Sequence, residues 1–192
     1  PDNSILDIAC DNSGNVWLAS FGGLTKYNGS VFYNYTTSDG MSSDFISCVT
    51  ATGSLLYIGT FGAGLMIYDG TTFTPLTTDN GLQDNNISAI AFDSDGNLWV
   101  GSYYGITVLD NSYNVVTTYT LDNGLINNYV QDIAIDDNNN VIVCEYADYL
   151  QDGGISFYNG SVWENYTVSD GLVNAMVKRV VFDADNFAWI TT

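Results

Sequence analysis

Short apolar segments alternate with turn residues along the whole chain, and this pattern predicts β-strands. Between residues 87 and 120 the segments read "ISAIAFD", "NLWVGSY", "GITVLDN" and "NVVTTYT", with "SDG", "YYG" and "NSY" where they meet. Each segment is rich in Val, Ile, Thr and aromatic residues, and no helical period of 3.6 residues connects them. The pattern therefore predicts four short strands in a unit and a chain that is nearly free of helix.

The same four-strand unit recurs, so the chain is a repeat protein. The glycines that close successive units, Gly40, Gly81, Gly124 and Gly171, are spaced by 41, 43 and 47 residues. This spacing is typical of a four-stranded propeller blade and is too long for a leucine-rich repeat. We predict an all-β fold: a β-propeller of four-stranded antiparallel blades, with four full blades and half of a fifth. The predicted units are residues 4–44, 45–85, 86–128, 129–175 and 176–192.

The second strand has a similar sequence in every unit: "GNVWLAS", "SLLYIGT", "GNLWVGS", "NNVIVCE" and "NFAWITT". A four-stranded sheet has two faces to cover, and packing against a neighbouring copy covers one of them. We therefore expect the recurring ring of this strand to lie in a core between blades, at Trp17, Tyr57, Trp99 and Trp189. The fourth unit departs from the pattern, because "VIVCE" replaces "LWVGS" and "YADYLQDG" lengthens the loop that follows.

The repeat reads "I-x-x-I-x-x-D-x-x-G-x-L-W-x-G-[ST]-x-x-G-[LI]-x-x-Y-[DN]-G", followed by "Y-T-x-x-D-G-L". In these motifs the chain resembles the two-component regulator propeller repeat over residues 4–192. Members of that family form large propellers in the periplasmic sensor half of hybrid histidine kinases, and they also occur in secreted or surface proteins without a kinase. The resemblance implies a segment of a larger propeller, located in the periplasm or outside a bacterial cell.

The net charge of −19 narrows the choice of partners. The cationic side chains are Lys26, Lys178 and Arg179, so no basic surface is available for nucleic-acid phosphates or anionic lipids. No apolar run approaches the ~20 residues of a spanning helix, and residues 1–20 do not have the pattern of a signal peptide. We expect no nucleic-acid partner and no membrane insertion by this segment, with any export signal or anchor outside it.

Few side chains in the sequence are suited to catalysis or metal binding. The chain has no histidine, and only two of its 22 acidic residues are Glu. Four turns, "DNSGN", "DSDGN", "DDNNN" and "DADNF", resemble calcium loops but lack the bidentate Glu of that motif, so we interpret them as hairpin turns. We predict no enzyme, no cofactor and no metal site. Cys10, Cys48 and Cys144 are expected to be buried free thiols, with Cys10 and Cys48 on opposite strand faces and therefore not in a disulfide.

Binding is the function that the pattern favours, and propeller geometry indicates where. The loops between the second and third strands share one face of a propeller with the loops that join successive blades. Flat aromatic rings beside Asn and Asp suit a neutral oligosaccharide. The predicted ligand-binding residues are Phe21, Phe61, Tyr103, Tyr104, Tyr146 and Tyr149 from the first set of loops, and Asp44, Asn86, Asn128 and Asn174 from the second.

These features favour a non-catalytic sensor or ligand-binding module of a two-component system. A secreted or surface scaffold for protein–protein contacts is the alternative, and a propeller lyase or hydrolase is the third. The fifth unit contains only two strands, "VKRVVFD" and "FAWITT", which leaves sheet edges and apolar faces open. We expect other propeller blades or a second copy of the chain to cover these ends.

Overall fold

The computed structural model describes residues 3–147 and 152–192, and this part of the chain forms four four-stranded sheets and one two-stranded sheet. Strands β1–β4 are Ile5–Cys10, Val16–Ser20, Gly23–Tyr27 and Phe32–Tyr35. Strands β5–β8 are Ile46–Thr52, Leu55–Thr60, Leu65–Tyr68 and Phe73–Leu76. Strands β9–β12 are Ile87–Phe92, Leu98–Ser102, Gly105–Leu109 and Val115–Tyr119. Strands β13–β16 are Val130–Ile135, Val141–Glu145, Gly154–Tyr158 and Trp163–Tyr166, and β17–β18 are Arg179–Phe182 and Ala188–Thr191.

Strands within each sheet pair in chain order, and the pairs are antiparallel. We call the four strands of a sheet A, B, C and D. The predicted strands of the third unit and the two strands of the fifth are confirmed. The helical elements of the described residues are four 3-10 turns, Thr37–Asp39, Thr78–Asn80, Leu121–Asn123 and Val168–Asp170, so the expectation of a nearly helix-free chain is also confirmed.

Four of the five A–B turns are closed by an aspartate, and they are hairpin turns, as predicted. Oδ1 of Asp11 accepts hydrogen bonds from the backbone N–H groups of Ser13 and Asn15, both at 2.9 Å. Its Oδ2 accepts from Nε1 of Trp17 at 2.9 Å. The backbone pattern repeats at Asp93, Asp136 and Asp183. The carboxylate is therefore used to fix the turn, because it replaces the backbone partners that the turn leaves unpaired.

The motif "T-x-x-[DN]-G" forms the 3-10 turn that joins one sheet to the next. The side chain of Thr36 accepts from Ser38 N–H, and the side chain of Asp39 accepts from Thr36 N–H, which is a capping box. Gly40 follows with φ of 97°, a left-handed conformation that favours glycine. The apolar residue after that glycine is buried at Met41, Leu82 and Leu125. These local rules explain why the motif recurs at the end of each unit.

A glycine recurs at the start of strand C in each four-stranded sheet, and this recurrence has a steric cause. Gly23 has φ of 116°, and a Cβ atom at this position would collide with the carbonyl oxygen of Tyr35 on strand β4. The same collision with a strand D carbonyl would occur at Gly64, Gly105 and Gly154. Only glycine fits this close approach of two strands.

The chain divides into two compact units, Pro1–Ile90 and Ala91–Thr192. In the first unit, apolar side chains of the first two sheets meet in one core that includes Trp17, Leu24, Ile46 and Met66. In the second unit, Ile142, Cys144 and Ile155 of the fourth sheet pack against Val180 of β17 and against Val177, which precedes that strand. Sheet therefore packs on sheet within each unit, as a stack of repeated blades requires.

The strand B rings are buried in the first three sheets but not in the last. Trp17, Tyr57 and Trp99 are 3%, 5% and 6% exposed, as predicted. Trp189 is 64% exposed, so the prediction that it lies in a core between blades is wrong. The reason is that burial at this register needs a further sheet, and β17–β18 is a two-stranded sheet in the part of the chain that the structure describes.

The burial of the three cysteines agrees with the prediction at two positions and differs at one. All three are free thiols, and Cys48 and Cys144 are buried, as expected. Cys10 is exposed, so its predicted burial is wrong. Cys10 is the last residue of β1, which is the edge strand of its sheet, and strand ends beside a turn have fewer neighbours to cover them.

Candidate functional site

In each unit the B–C turns lie beside the D–A loops, as the propeller pattern predicts. In the first unit, Phe61 N–H donates to the carbonyl oxygen of Phe45 at 3.0 Å, and Gly64 N–H donates to that of Asn85 at 2.9 Å. In the second, Gly105 N–H donates to Asn128 at 2.8 Å. These backbone hydrogen bonds hold the two kinds of loop together, so side chains from both are presented at one end of the sheets.

The first unit carries three phenylalanines at this end. The ring centroid of Phe21 lies 5.6 Å from that of Phe61 and 6.3 Å from that of Phe45. Phe21 and Phe45 are 42% and 57% exposed, while Phe61 is half-buried. We call Phe21, Phe45 and Phe61 the phenylalanine cluster. Its exposed rings form an apolar surface that water covers at a free-energy cost.

The second unit carries three tyrosines at the corresponding positions. The Tyr103 and Tyr129 rings stack with centroids 4.0 Å apart, and Tyr146 lies 5.1 Å from Tyr129. Burial and a hydrogen bond with Tyr103 raise the pKa of the Tyr129 hydroxyl, so that group stays protonated at neutral pH. We call Tyr103, Tyr129 and Tyr146 the tyrosine cluster. It combines flat ring faces with hydroxyl groups that donate and accept hydrogen bonds.

Two predicted aromatic residues stand apart from the clusters. Tyr104 lies in the B–C turn of the third sheet and is 65% exposed, without a ring contact to the tyrosine cluster among the described residues. Its backbone N–H donates to Oγ of Ser102 at 3.2 Å, which fixes the turn that carries it. Tyr149 lies outside the described residues.

The predicted polar residues hold the loops in place. Asp44 accepts from Thr37 N–H at 2.6 Å and Asn128 accepts from Leu121 N–H at 2.7 Å, each tying the start of a 3-10 turn to the end of its loop. Asn174 and Asn86 occupy other registers. The Asn174 side chain accepts from Met176 N–H at 2.9 Å, and the Asn86 amide donates to Asp84 at 3.2 Å. All four lie in the D–A loops, but they do not form one ring of equivalent positions.

Two residues of the clusters were missed by sequence reasoning, namely Phe45 and Tyr129. Each immediately precedes strand A. Phe45 contacts the Phe21 ring, and Tyr129 joins Tyr103 to Tyr146. The aligned position is Asn86 in the third unit and Met176 in the fifth, so no residue type repeats there. The available signal was the register alone, which lies one residue before strand A at Phe45, Asn86 and Tyr129.

A buried carboxyl group lies beside the tyrosine cluster. The last residue of strand B is a small hydroxyl residue in three sheets, at Ser20, Thr60 and Ser102. In the fourth sheet it is Glu145, whose side chain is fully buried and accepts hydrogen bonds from Oγ of Ser156 at 2.8 and 2.9 Å and from Ile126 N–H at 3.3 Å. Burial raises the pKa of Glu145 to about 8, although the hydrogen bonds oppose this shift. Glu145 is therefore mainly protonated at neutral pH.

The family model described as two component regulator propeller matches residues 1–22 and 81–104. The resemblance predicted from the repeat is thereby confirmed in two separate stretches. No curated protein matches the chain.

Solved structures with the same fold are much longer than this chain. The extracellular domain of BT4673 from B. thetaiotaomicron, described as a one-component system, has a TM-score of 0.81 at 20% identity, covering 98% of this chain and 28% of that one. PorZ, a surface component of the type-IX secretion system of Porphyromonas gingivalis, has a TM-score of 0.73 at 18% identity, with coverages of 98% and 31%. Virginiamycin B lyase from Staphylococcus aureus has a TM-score of 0.77 at 13% identity, with coverages of 99% and 64%.

The fold class is therefore an all-β arrangement of propeller blades, as predicted, and two stretches of the chain match the two component regulator propeller model. At these identities the likeness to solved structures concerns the fold. Within the described residues, no helix has the length and apolar character needed to cross a membrane.

Proposed function

We propose that the chain is a non-catalytic ligand-binding part of an extracytoplasmic sensor propeller, and that its ligand is a neutral oligosaccharide. The observation that carries the proposal is the pair of aromatic clusters at the B–C end of the sheets, one in each compact unit. Location in the periplasm or outside the cell is supported by the extracellular domain of BT4673, which has the same fold, and by the family model.

Ring faces of this kind favour sugars for two reasons. A pyranose presents a face of C–H groups that packs on an aromatic ring, and this contact needs no charge on the protein. Its hydroxyl groups then pair with side chains at the edge of the ring, such as the Tyr129 and Tyr146 hydroxyls. Because the chain has a net charge of −19, a neutral ligand is approached without the repulsion that an anionic ligand would meet.

Catalysis is disfavoured by the side chains available. Virginiamycin B lyase has the same fold, and a variant of it in which one histidine is replaced by alanine is described as catalytically inactive. This chain contains no histidine, and its buried carboxyl group, Glu145, accepts hydrogen bonds from uncharged donors, Ser156 and the backbone of Ile126. Binding without reaction is therefore the better account of the site.

The experiment is a binding screen with two matched variants. Isothermal titration of the chain with neutral hexasaccharides of glucose, xylose, mannose and arabinose should identify at least one ligand. Tyr129→Ala should weaken that ligand by at least about tenfold, since a stacked ring is lost from the site. Tyr33→Ala is the control, because Tyr33 is a 46% exposed tyrosine on strand D of the first sheet, away from the B–C turns. Equal affinity in both variants, or no saturable binding to any sugar, contradicts the proposal.

The exposed apolar face of the last sheet favours a second role, as a scaffold for contacts with another chain or blade. Val181 and Trp189 are paired across β17 and β18 and are 60% and 64% exposed, and Phe187 is 67% exposed. The equivalent rings Trp17 and Trp99 are covered by a neighbouring sheet of the repeat. We propose that a further blade, from another propeller segment or a second copy of the chain, covers this face. Sedimentation of the 20.9 kDa chain should show a dimer or larger species, whereas a well-behaved monomer with a cooperative melt contradicts self-association through this face.

A further inference from the structure

A second concave site lies in the first unit, at the end opposite the B–C turns. A pocket of ≈ 250 Å³ opens between the A–B turns of the first two sheets. Its walls include the rings of Trp17, Tyr35 and Tyr68, together with the charged groups of Asp11 and Lys26. Asn12 donates from its side chain to the carbonyl oxygen of Gly53 at 3.2 Å, which ties the two turns together beside the pocket.

The pocket contains two opposite charges that do not neutralise each other. Lys26 is the single Lys or Arg in residues 1–90, and its Nζ lies 5.1 Å from the centroid of the Trp17 ring. Within the described residues Lys26 takes part in no salt bridge. Asp11 is ionised, because hydrogen bonds from Asn15 and Trp17 hold its pKa below the usual value although burial opposes them. All four of its hydrogen bonds come from uncharged donors.

Both charged groups are held in place by the same indole. Nε1 of Trp17 donates to Asp11 at 2.9 Å, and Lys26 lies over the face of the ring. The indole in turn packs against Tyr35 at 5.8 Å and against Tyr68 at 6.0 Å between ring centroids. The Tyr68 hydroxyl donates to the Gly70 carbonyl oxygen at 2.8 Å, which fixes that ring. The site is therefore organised before any ligand arrives, and a preorganised site loses less entropy on binding.

We propose that this pocket binds a small zwitterion, an α-amino acid with an apolar side chain. The ligand carboxylate pairs with Lys26, and its side chain packs on the apolar wall formed by Leu56 and Tyr68. Its ammonium group is attracted by the negative charge of Asp11, whose acceptor positions are already used within the turn. A zwitterion brings no net charge, so the charge of −19 does not repel it as it repels a simple carboxylate. The site is independent of the proposed oligosaccharide site, because its residues come from the other ends of the strands.

The first test titrates three probes into the unmodified chain and monitors their binding by ¹H–¹⁵N NMR. L-phenylalanine should shift the signals of residues 11–17 and 53–56 saturably. N-acetyl-L-phenylalanine, which lacks the ammonium group, and L-phenylalaninamide, which lacks the carboxylate, should each bind at least about tenfold more weakly. Equal affinity for the three probes, or no saturable shift with L-phenylalanine, overturns the proposal.

The second test is a pair of matched substitutions. Lys26→Met keeps a long stem over the Trp17 ring but removes the charge, and it should weaken L-phenylalanine by at least about tenfold. Lys178→Met is the control, since Lys178 is an exposed lysine just before the last sheet, far along the chain from the pocket residues. If both variants bind as the unmodified chain does, the site does not use Lys26 and the proposal fails. The comparison of probes still decides the case if Lys26→Met does not fold.

Discussion

Removal of the Trp99 ring tests how strongly the repeated strand B ring stabilises the fold. Trp99 is 6% exposed, stacks on Tyr119 at 5.6 Å between centroids, and donates from Nε1 to Asp93 at 3.1 Å. A buried ring of this kind removes about 200 Å² from water, which at about 25 cal/mol per Å² corresponds to about 5 kcal/mol as an upper value. Since the surrounding side chains relax only in part, we expect Trp99→Ala to reduce the free energy of unfolding by about 3–5 kcal/mol.

Trp189→Ala is the matched control, because Trp189 occupies the same position of the repeat and makes the same hydrogen bond, to Asp183, at 2.7 Å. It is 64% exposed, so the same substitution should reduce the free energy of unfolding by less than about 1 kcal/mol. Urea denaturation followed by far-ultraviolet circular dichroism measures both values without depending on tryptophan emission. A loss below about 1 kcal/mol for Trp99→Ala, or equal losses for both variants, would refute the reasoning.

Two further predictions concern pH and thiol chemistry. The folded-state pKa of Glu145, about 8, lies above its ordinary value, so the folded state holds a proton that the unfolded state releases, and stability should fall as pH rises from 5 to 8. The free energy of unfolding should fall by on the order of 3 kcal/mol, and no histidine titrates in the same range. Denaturation at several pH values should show this fall for the unmodified chain but not for Glu145→Gln. A thiol reagent such as dithionitrobenzoate should react rapidly with exposed Cys10, while buried Cys48 and Cys144 react only on unfolding, and rapid reaction of all three would contradict the described burial.

The strands and their connections are predictable because their causes are local. Thr36, Asp39 and Gly40 close a 3-10 turn through contacts within a few residues, and Asp11 closes its hairpin in the same way. Such rules act wherever the motif occurs, so a repeated motif predicts a repeated element. Gly23 is required by a neighbouring strand of its own sheet, and it is therefore also visible as a repeated residue.

Burial and the binding surfaces are less predictable because they depend on a neighbouring sheet. Trp99 and Trp189 have the same sequence context but different exposure, since a sheet covers only the first. Phe45 and Tyr129 occupy a position with no constant residue type, and their ring contacts come from loops more than 15 residues away in sequence. The charges of Asp11 and Lys26 meet at one indole only when strands β2 and β3 pair.

The burial of Glu145 illustrates a further limit. The equivalent positions Ser20, Thr60 and Ser102 are buried in the first three sheets, but a glutamate is ordinarily exposed. The structure resolves this conflict with hydrogen bonds from Ser156 and the backbone of Ile126, which the repeat motif does not contain. Departures from a repeat are therefore the places where sequence reasoning is weakest and where unusual chemistry is found.

Hydrogen exchange with a bound sugar tests the central claim, that ligand binds at the B–C turns and D–A loops. With the best-binding neutral hexasaccharide, peptides of the second unit that contain residues 103–105 and 129 should exchange more slowly, and Tyr129→Ala should abolish this protection. The Tyr129 ring stacks on Tyr103 with centroids 4.0 Å apart, so the substitution removes the ring contact on which the proposed site rests. Protection confined to the A–B turns, at residues 11–15 and 93–97, would contradict the site assignment.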